Sequence, residues 1–263
     1  MPVDIPTNSA WTNQRLVLSA LLHREAVTRF GKYKLGVLWL LVEPLTSVIV
    51  LGLVLGPIVG RTAPDMPYAF FLLNGMILLG NITGVMTSAM GAIKANSGLL
   101  VFPKVQPFDL LLSRFVFELF SGLFSFVTFC VIGMWAGVSL SLGSLHVLLA
   151  CFLITWLIGC GIGTILAVAS AYYQSLEKAY AFIRRPLIFV SCVLYPLHGL
   201  PESAQRVLLM NPLVHTIELS RKCLFPLYHV SGVNLLYPAA WAIVLLGIGV
   251  PIFHHYRHDL NHR

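Results

Sequence analysis

Charge is scarce in this chain of 263 residues: Asp, Glu, Lys and Arg together make up 10% of it, where soluble domains carry about 25%. That shortage excludes an ordinary water-soluble fold. Acidic groups are scarcer than basic ones, 10 against 17, and the net charge is +7, so paired carboxylates of the kind that do acid–base or metal chemistry have little material to form from. Motifs are missing as well. There is no GxxxxGK[ST] phosphate loop, which excludes nucleotide binding by that route, and no HExxH or GxSxG. The five cysteines include no CxxC pair. Cys130, Cys151, Cys160 and Cys192 fall inside apolar runs and Cys223 in a polar stretch, and all are expected to be inert thiols. No catalytic residue and no metal ligand is expected. The four His of the tail HHYRHDLNHR read as a solvated basic tail. No short apolar run with a cleavage pattern precedes Leu35, so no removable signal is expected.

Long hydrophobic runs are what the chain has instead, with 57% of its residues hydrophobic. A helix crossing the hydrocarbon needs about 20 mostly apolar residues, and six stretches qualify or come near: 35–59, 67–92, 110–137, 145–172, 180–197 and 234–256. Little is left over for a soluble domain. The expectation is one all-α polytopic membrane domain, 1–263, with six transmembrane helices. Residues 10–30 differ: Leu16, His23, Val27 and Phe30 fall near one side and Arg15, Arg24 and Arg29 elsewhere, the pattern of an amphipathic interfacial helix. Small residues four apart, at Gly52, Gly56 and Gly60, at Gly80 and Gly84, and at Gly159 and Gly163, predict close helix contacts. The run GCGIGT (159–164) superficially matches a dinucleotide loop, but no strand precedes it and no acidic partner follows, so helix packing is the better reading.

Cations set the orientation. Thirteen of the 17 Lys and Arg fall in the N-terminal segment, the 93–109 connection with Arg114 at its edge, the region around 173–185 and the tail; Arg61, Arg206, Arg221 and Lys222 fall on the other side. By the positive-inside rule both termini are cytoplasmic. The segment 198–231 is then external. Its apolar stretch 207–219 is too short to cross, Pro212 interrupts it, and Arg206 and Arg221 bracket it, which predicts a re-entrant helical hairpin before the last span.

Several positions are candidates for function. Arg24, Arg29, Lys32 and Lys34 crowd the cytoplasmic mouth of the first span, which serves topology and also suits an anionic headgroup. Glu43 and Glu118 lie within spans, as transport-path groups or as carboxylates paired structurally with Arg. Asn74, Asn211, His215 and Glu218 are further path candidates, with satisfaction of local backbone groups as the other reading for the last three. In the connection 93–109, Lys94, Asn96, Leu100, Phe102, Lys104 and Val105 belong to an expected short cytoplasmic helix suited to docking another protein.

The blocks REAVTRFGKYKLGVLWLLVEP (24–44), FFLLNG (70–75), GAIKANSGLLVFPKVQPFD (91–109), FVSCVLYPLHGLP (189–201) and NPLVHTIELSRKCLFPLY (211–228), in this order, resemble the ABC-2 type polysaccharide-export permeases, in particular their capsule-export branch. The resemblance implies a bacterial inner-membrane, multi-pass permease subunit that moves anionic lipid-linked capsular polysaccharide and has no catalytic site of its own. It also implies a set of partners: a second copy of the chain, a homodimer of a separate ATP-binding cassette ATPase that holds ATP and Mg, a periplasmic co-polymerase-type adaptor and an outer-membrane polysaccharide channel. No nucleic acid is expected. O-antigen and lipo-oligosaccharide exporters share the architecture and stand as the alternative. A multi-span glycolipid transferase would need a catalytic base or clustered carboxylates, and a secondary carrier would need inverted repeats and paired midplane charges; neither set is visible.

Overall fold

Where water is absent, a backbone must satisfy its own N–H and C=O groups, and a single segment does so only as a helix. The computed structural model describes residues 10–31, 36–59, 66–99, 105–141, 143–173 and 175–261, and among them five of the six predicted apolar runs are continuous helices. They are α2 (Trp39–Val59), α3 (Tyr68–Met90), α4 (Pro107–Trp135), α5 (Leu145–Tyr172) and α10 (Leu236–Asn261), preceded by α1 (Ala10–Phe30). Five helices among the described residues are long and apolar enough to cross a membrane. The start of α4 is set locally: Pro107 takes the first helical position, and the Gln106 N–H donates to Asp109 Oδ2 at 3.0 Å.

The fifth predicted span, 180–197, is not one helix. It divides into α6 (Leu176–Arg184) and α7 (Leu187–Val190), then turns through Cys192, whose φ is +53°. Pro186 supplies no N–H, and two arginines stand before it, so the break falls where the helix has least to hold it. The broken segment nevertheless runs along most of α3. The Tyr180 hydroxyl donates to the Thr83 carbonyl at 3.4 Å and the Tyr68 hydroxyl to the Leu194 carbonyl at 2.8 Å; at 1.5 Å per residue, Tyr68 and Thr83 lie about 22 Å apart along α3. After it come α8 (Glu202–Leu208) and α9 (Pro212–Leu224).

The core forms around α3, which packs against α2, α4, α5 and α9, while α5 carries α10 on its other side. The predicted glycine contacts divide. A side chain at Gly159 would meet the Ile82 Cα at 3.3 Å and one at Gly163 the Ala89 Cβ at 3.2 Å, so these two let α5 lie close on α3. Gly161 faces the opposite way, where a Cβ would stand 2.7 Å from Leu245 Cβ and 2.9 Å from the Leu246 backbone nitrogen. Gly80 has nothing within 4 Å, because it borders a cavity rather than a helix, and Gly60 lies outside the described residues. An obstacle made of backbone cannot rotate away. Gly161→Val is therefore expected to force α10 off α5 and to lower the midpoint of thermal unfolding in detergent, at a cost of about 1–3 kcal/mol or more; Gly247→Val, with open space around it, is the control that should leave the midpoint unchanged.

On α1 the packing differs from the sequence pattern. Leu16 and Val27 are exposed, Leu21 is buried, and the side carrying Glu25 and Arg29 rests on α4. Cys223, placed by sequence in a polar stretch, is buried in α9, and Arg221, expected to be an external bracket, is fully buried. The basic tail, as far as Asn261, is the continuation of α10, tied to α5 by a hydrogen bond from the Tyr172 hydroxyl to Asp259 Oδ2 at 3.0 Å.

Candidate functional site

A cavity of about 690 Å³ opens between α2, α3 and α4, with the α6–α7 break at one side. Leu40, Pro44 and Ser47 of α2 line it, as do Gly80, Asn81, Thr83 and Thr87 of α3, and Ser121, Gly122 and Ser125 of α4. Arg29, Glu118, Arg184 and Arg185 supply its charge. Its wall is therefore rich in hydroxyl and amide groups within helices otherwise apolar, the usual mark of a polar path through a helical bundle.

The charge at one end is organised. Glu25 and Arg29 are one turn apart on α1, in the favourable order for a helical ion pair, with Arg29 Nε 3.1 Å from Glu25 Oε1. Arg29 Nη2 also reaches Glu118 Oε1 of α4 at 2.6 Å, and its guanidinium lies 4.8 Å from the centroid of the Phe117 ring. Arg114 Nε stands 3.7 Å from Glu25 Oε2 and its Nη1 donates to the Ser88 carbonyl of α3 at 2.7 Å. Burial by itself would lower the Arg29 guanidinium, but the carboxylates of Glu118 and Glu25 outweigh it and hold the group above its ordinary value. Glu118 crosses toward α3 only because Gly84 has no side chain: a Cβ there would stand 2.8 Å from Glu118 Oε2.

A second charged centre is wholly internal. Arg221 Nη1 donates to Glu218 Oε1 at 2.8 Å and to the Cys192 carbonyl at 2.9 Å; Nη2 donates to the Val193 carbonyl at 3.1 Å and to the Phe71 carbonyl at 3.3 Å. Its guanidinium lies 3.5 Å from the Phe71 ring centroid, and Tyr228 donates to Glu218 Oε2 at 3.0 Å. Gly75 leaves room for it, since a Cβ there would meet Arg221 Nη2 at 2.9 Å. Next to it Ser220 donates to Asn74 Oδ1 at 2.7 Å. Three of the sequence blocks, 70–75, 189–201 and 211–228, thus meet in one polar knot.

The predicted site residues divide accordingly. Arg29 lies at the cavity with Glu118, whereas Arg24 is exposed on α1. Asn74 and Glu218 are in the knot around Arg221, away from the cavity. Asn211 caps α9, its Oδ1 accepting from the Leu213 N–H and its Nδ2 donating to the Val190 carbonyl at 3.2 Å. His215 Nδ1 accepts from the Asn234 N–H at 3.0 Å, so its proton is on Nε2 and goes to the Leu209 carbonyl at 2.8 Å. These contacts with neighbouring backbone and side chains account for Asn211, His215 and Glu218 without a ligand. Lys94 and Asn96 are in a 3₁₀ turn, Lys94–Leu99, with Lys94 exposed, and Val105 is half-buried. Lys32, Lys34, Leu100, Phe102 and Lys104, and the side chain of Glu43, lie outside the described residues. Sequence reasoning missed Glu25, and it used Arg114, Arg184 and Arg185 only for orientation. It also passed over Asn81, although an Asn in the middle of the apolar run 67–92 is itself a signal.

The profile of the ABC-2 type transporter family matches residues 17–225. The chain belongs to the ABC-2 type transporter family. Among curated proteins, it is 34% identical over 245 residues to the polysialic acid transport protein KpsM of Escherichia coli, covering 93% of this chain and 95% of that one. It is 28% identical over 242 residues to the capsule polysaccharide export inner-membrane protein CtrC of Neisseria meningitidis, covering 91% and 90%. With the capsule polysaccharide export inner-membrane protein BexB of Haemophilus influenzae the identity is 25% over 238 residues, covering 89% of each. The similarity therefore extends beyond the ends of the family match, to nearly the whole of each chain.

Proposed function

We propose that this chain is the membrane-spanning permease subunit of an inner-membrane ABC exporter of capsular polysaccharide. The observation that carries this reading is the family match together with the end-to-end similarity to three chains named for polysialic acid transport or capsule polysaccharide export. The cavity between α2, α3 and α4 supports it physically, offering polar groups and cations at the depth of the apolar helices. Energy comes from a separate ATPase subunit that binds ATP and Mg; the 3₁₀ turn at Lys94–Leu99, directly joining α3 to the region before α4, is the contact through which it acts. The working unit contains two copies of the chain and two of the ATPase, with a periplasmic adaptor and an outer-membrane channel continuing the route. Deletion of the gene in its host is expected to leave polymer inside the cell and none at the surface, and the chain should co-purify with a phosphate-loop ATPase and crosslink to it from single cysteines at Asn96 and Val105. Loss of polymer synthesis, with nothing accumulated inside, would sink the transport reading in favour of a transferase.

In this reading the chain crosses six times with both termini cytoplasmic, α1 lying in the headgroup plane. The broken segment α6–α7 and its following turn make the fifth crossing, which its course along α3 supports, and α8 and α9 form the re-entrant hairpin. Support for the hairpin comes from depth. Thr216 of α9 hydrogen-bonds Thr155 at 3.0 Å, ten residues into α5 from Leu145, or about 15 Å at the helical rise. Cysteines placed singly at Ser203 and Ser231, both exposed, should each react with an impermeant thiol reagent added from the periplasm. Reaction of only one would mean that the segment crosses.

A further inference from the structure

Arg184 and Arg185 line the cavity far from either end of α3. The broken segment runs antiparallel to α3, since Tyr180 meets Thr83 and Leu194 meets Tyr68. Arg184 stands one turn beyond Tyr180 on the same face of α6, which sets it level with Gly80. Gly80 is 12 residues from Tyr68 and 10 from Met90, the two ends of α3, or about 18 Å and 15 Å at the helical rise. Cations that set topology stand at the membrane surface, and arginines that snorkel to it sit near the end of a span. These two do neither. Both are exposed, and among the described residues neither has a carboxylate partner. The Arg185 guanidinium lies 5.8 Å from the centroid of the Phe182 ring, on its own helix turn.

Charge within a span is expensive, and it marks a substrate or ion path unless another charge answers it. Here the charge is unbalanced. Among the described side chains that line the cavity, Arg29, Arg184 and Arg185 stand against Glu118, three cations against one carboxylate. Glu118 is already engaged, because Arg29 Nη2 holds it at 2.6 Å. The two arginines thus carry positive charge that no described side chain answers. The wall beside them is open: a Cβ on Gly80 would have nothing within 4 Å. The volume, about 690 Å³, is within the range of roughly 300–1,000 Å³ usual for small-molecule sites. A guanidinium presents its N–H donors as a planar fork, which matches the paired oxygens of a carboxylate or a phosphate.

From this we infer that Arg184 and Arg185 are an oxyanion-recognition pair within the export path, donating to a carboxylate or phosphate group of the exported glycan inside the α2–α3–α4 cavity. The inference rests on the export reading and adds to it two specificity-determining residues and the chemistry they select. An acidic sugar and the phosphate of a lipid anchor offer the same oxygens, so either can be the source. A neutral chain offers neither and leaves the two charges unanswered. The pair therefore makes the path selective for anionic polymers at the height where charge is most costly, and it does so apart from the basic cluster that begins at Arg24.

The test uses the full chain in its host, with the chromosomal copy deleted. Restoration of surface polymer by the unmodified chain establishes export; failure at that step removes the export reading itself, and the pair with it. Arg184→Gln combined with Arg185→Gln is then expected to lower the export rate about tenfold or more, as the loss of one hydrogen bond to a charged group does, at an unchanged amount of ATPase-bound complex. Export at the unmodified rate overturns the pair and leaves the export reading standing. Loss of the complex also overturns it, because the arginines would then be an assembly contact. The second arm reads binding directly. In a chain whose five native cysteines are replaced, a Gly80→Cys thiol is labelled with a small neutral maleimide in inverted membrane vesicles. A tetramer of sialic acid, with a carboxylate on each unit, or glycerol phosphate should slow the labelling several-fold, whereas a neutral glucose tetramer should not. Slowing by the sialic acid tetramer assigns the site to sugar carboxylates; slowing by glycerol phosphate alone assigns it to an anchor phosphate. Slowing that survives the two Gln changes, equal slowing by the neutral tetramer, or none from either anion overturns the proposal.

Discussion

Arg221→Met is expected to abolish most of the assembled protein. The guanidinium is fully buried, pairs with Glu218, and satisfies the carbonyls of Phe71 and of the adjacent Cys192 and Val193, in two distant parts of the chain. Removing one member of a buried ion pair leaves the other charge uncompensated, at about 3–5 kcal/mol, against a total stability of roughly 5–15 kcal/mol. Three carbonyls lose a partner at the same time. The double variant Arg221→Met with Glu218→Leu removes the stranded carboxylate and should recover part of the loss, though not all, since the carbonyls remain unmet. Detergent-stable yield and the midpoint of unfolding measure this. A sharper reading comes from Cys192, which is completely buried and held at positive φ by the turn whose carbonyl Arg221 holds; strain of this kind persists only while its surroundings enforce it. In Arg221→Met the Cys192 thiol should become reactive to maleimide, whereas Cys160, deep in α5, should not. An unchanged yield with Cys192 still unreactive would show that the knot does not hold α9 in place.

Arg29→Glu is the second large change. It replaces the guanidinium that bridges Glu25 and Glu118 by a third carboxylate, so repulsion between α1 and α4 is opposed, among the described ion pairs, by the longer Arg114–Glu25 contact. Hydrogen bonds to charged groups contribute about 1.5–3 kcal/mol each, and the partial exposure of Arg29 means that screening reduces, without removing, the repulsion. The outcome should be detachment of α1: the helix becomes sensitive to protease in isolated membranes while the rest of the chain stays intact, and export falls at least tenfold. Combining Arg29→Glu with Glu118→Arg restores one opposite pair across α1 and α4 and should restore much of the protease resistance. Arg24→Gln is the comparison, because Arg24 is exposed and its removal changes only the surface charge. If Arg24→Gln impaired export as strongly as Arg29→Glu, the cations would act together as a surface field and the ion-pair junction would be incidental.

Much of the fold was legible in the chain, for a simple reason. A segment that must satisfy its backbone without water has one local solution, so apolar length alone located α2, α3, α4, α5 and α10 to within a few residues. The family resemblance was legible for a related reason, since the blocks that carry it are the places where polar residues interrupt apolar runs. The breakdown of the 180–197 run was less visible, because hydropathy averages over a window and does not weigh a single Pro186 or the turn at Cys192.

What tertiary structure decided is the fate of each polar side chain. Sequence placed Arg221 on the surface as a charge and Glu218 and Asn74 in the path; the packing of α9 against α3 put all three into one interior knot, since a guanidinium with five donors can close carbonyls from several segments at once. Sequence grouped Arg29 with Arg24 by proximity, but helical phase sends Arg29 toward Glu118 and leaves Arg24 outside. Asn81 shows the difference most clearly. Its position within an apolar run was there to be read, but that its amide nitrogen is satisfied and its oxygen is not depends on where Phe152 and Gly122 come to lie, and both belong to other helices. Local chemistry determines which segments become helices; which polar atoms remain free is fixed only when those helices meet.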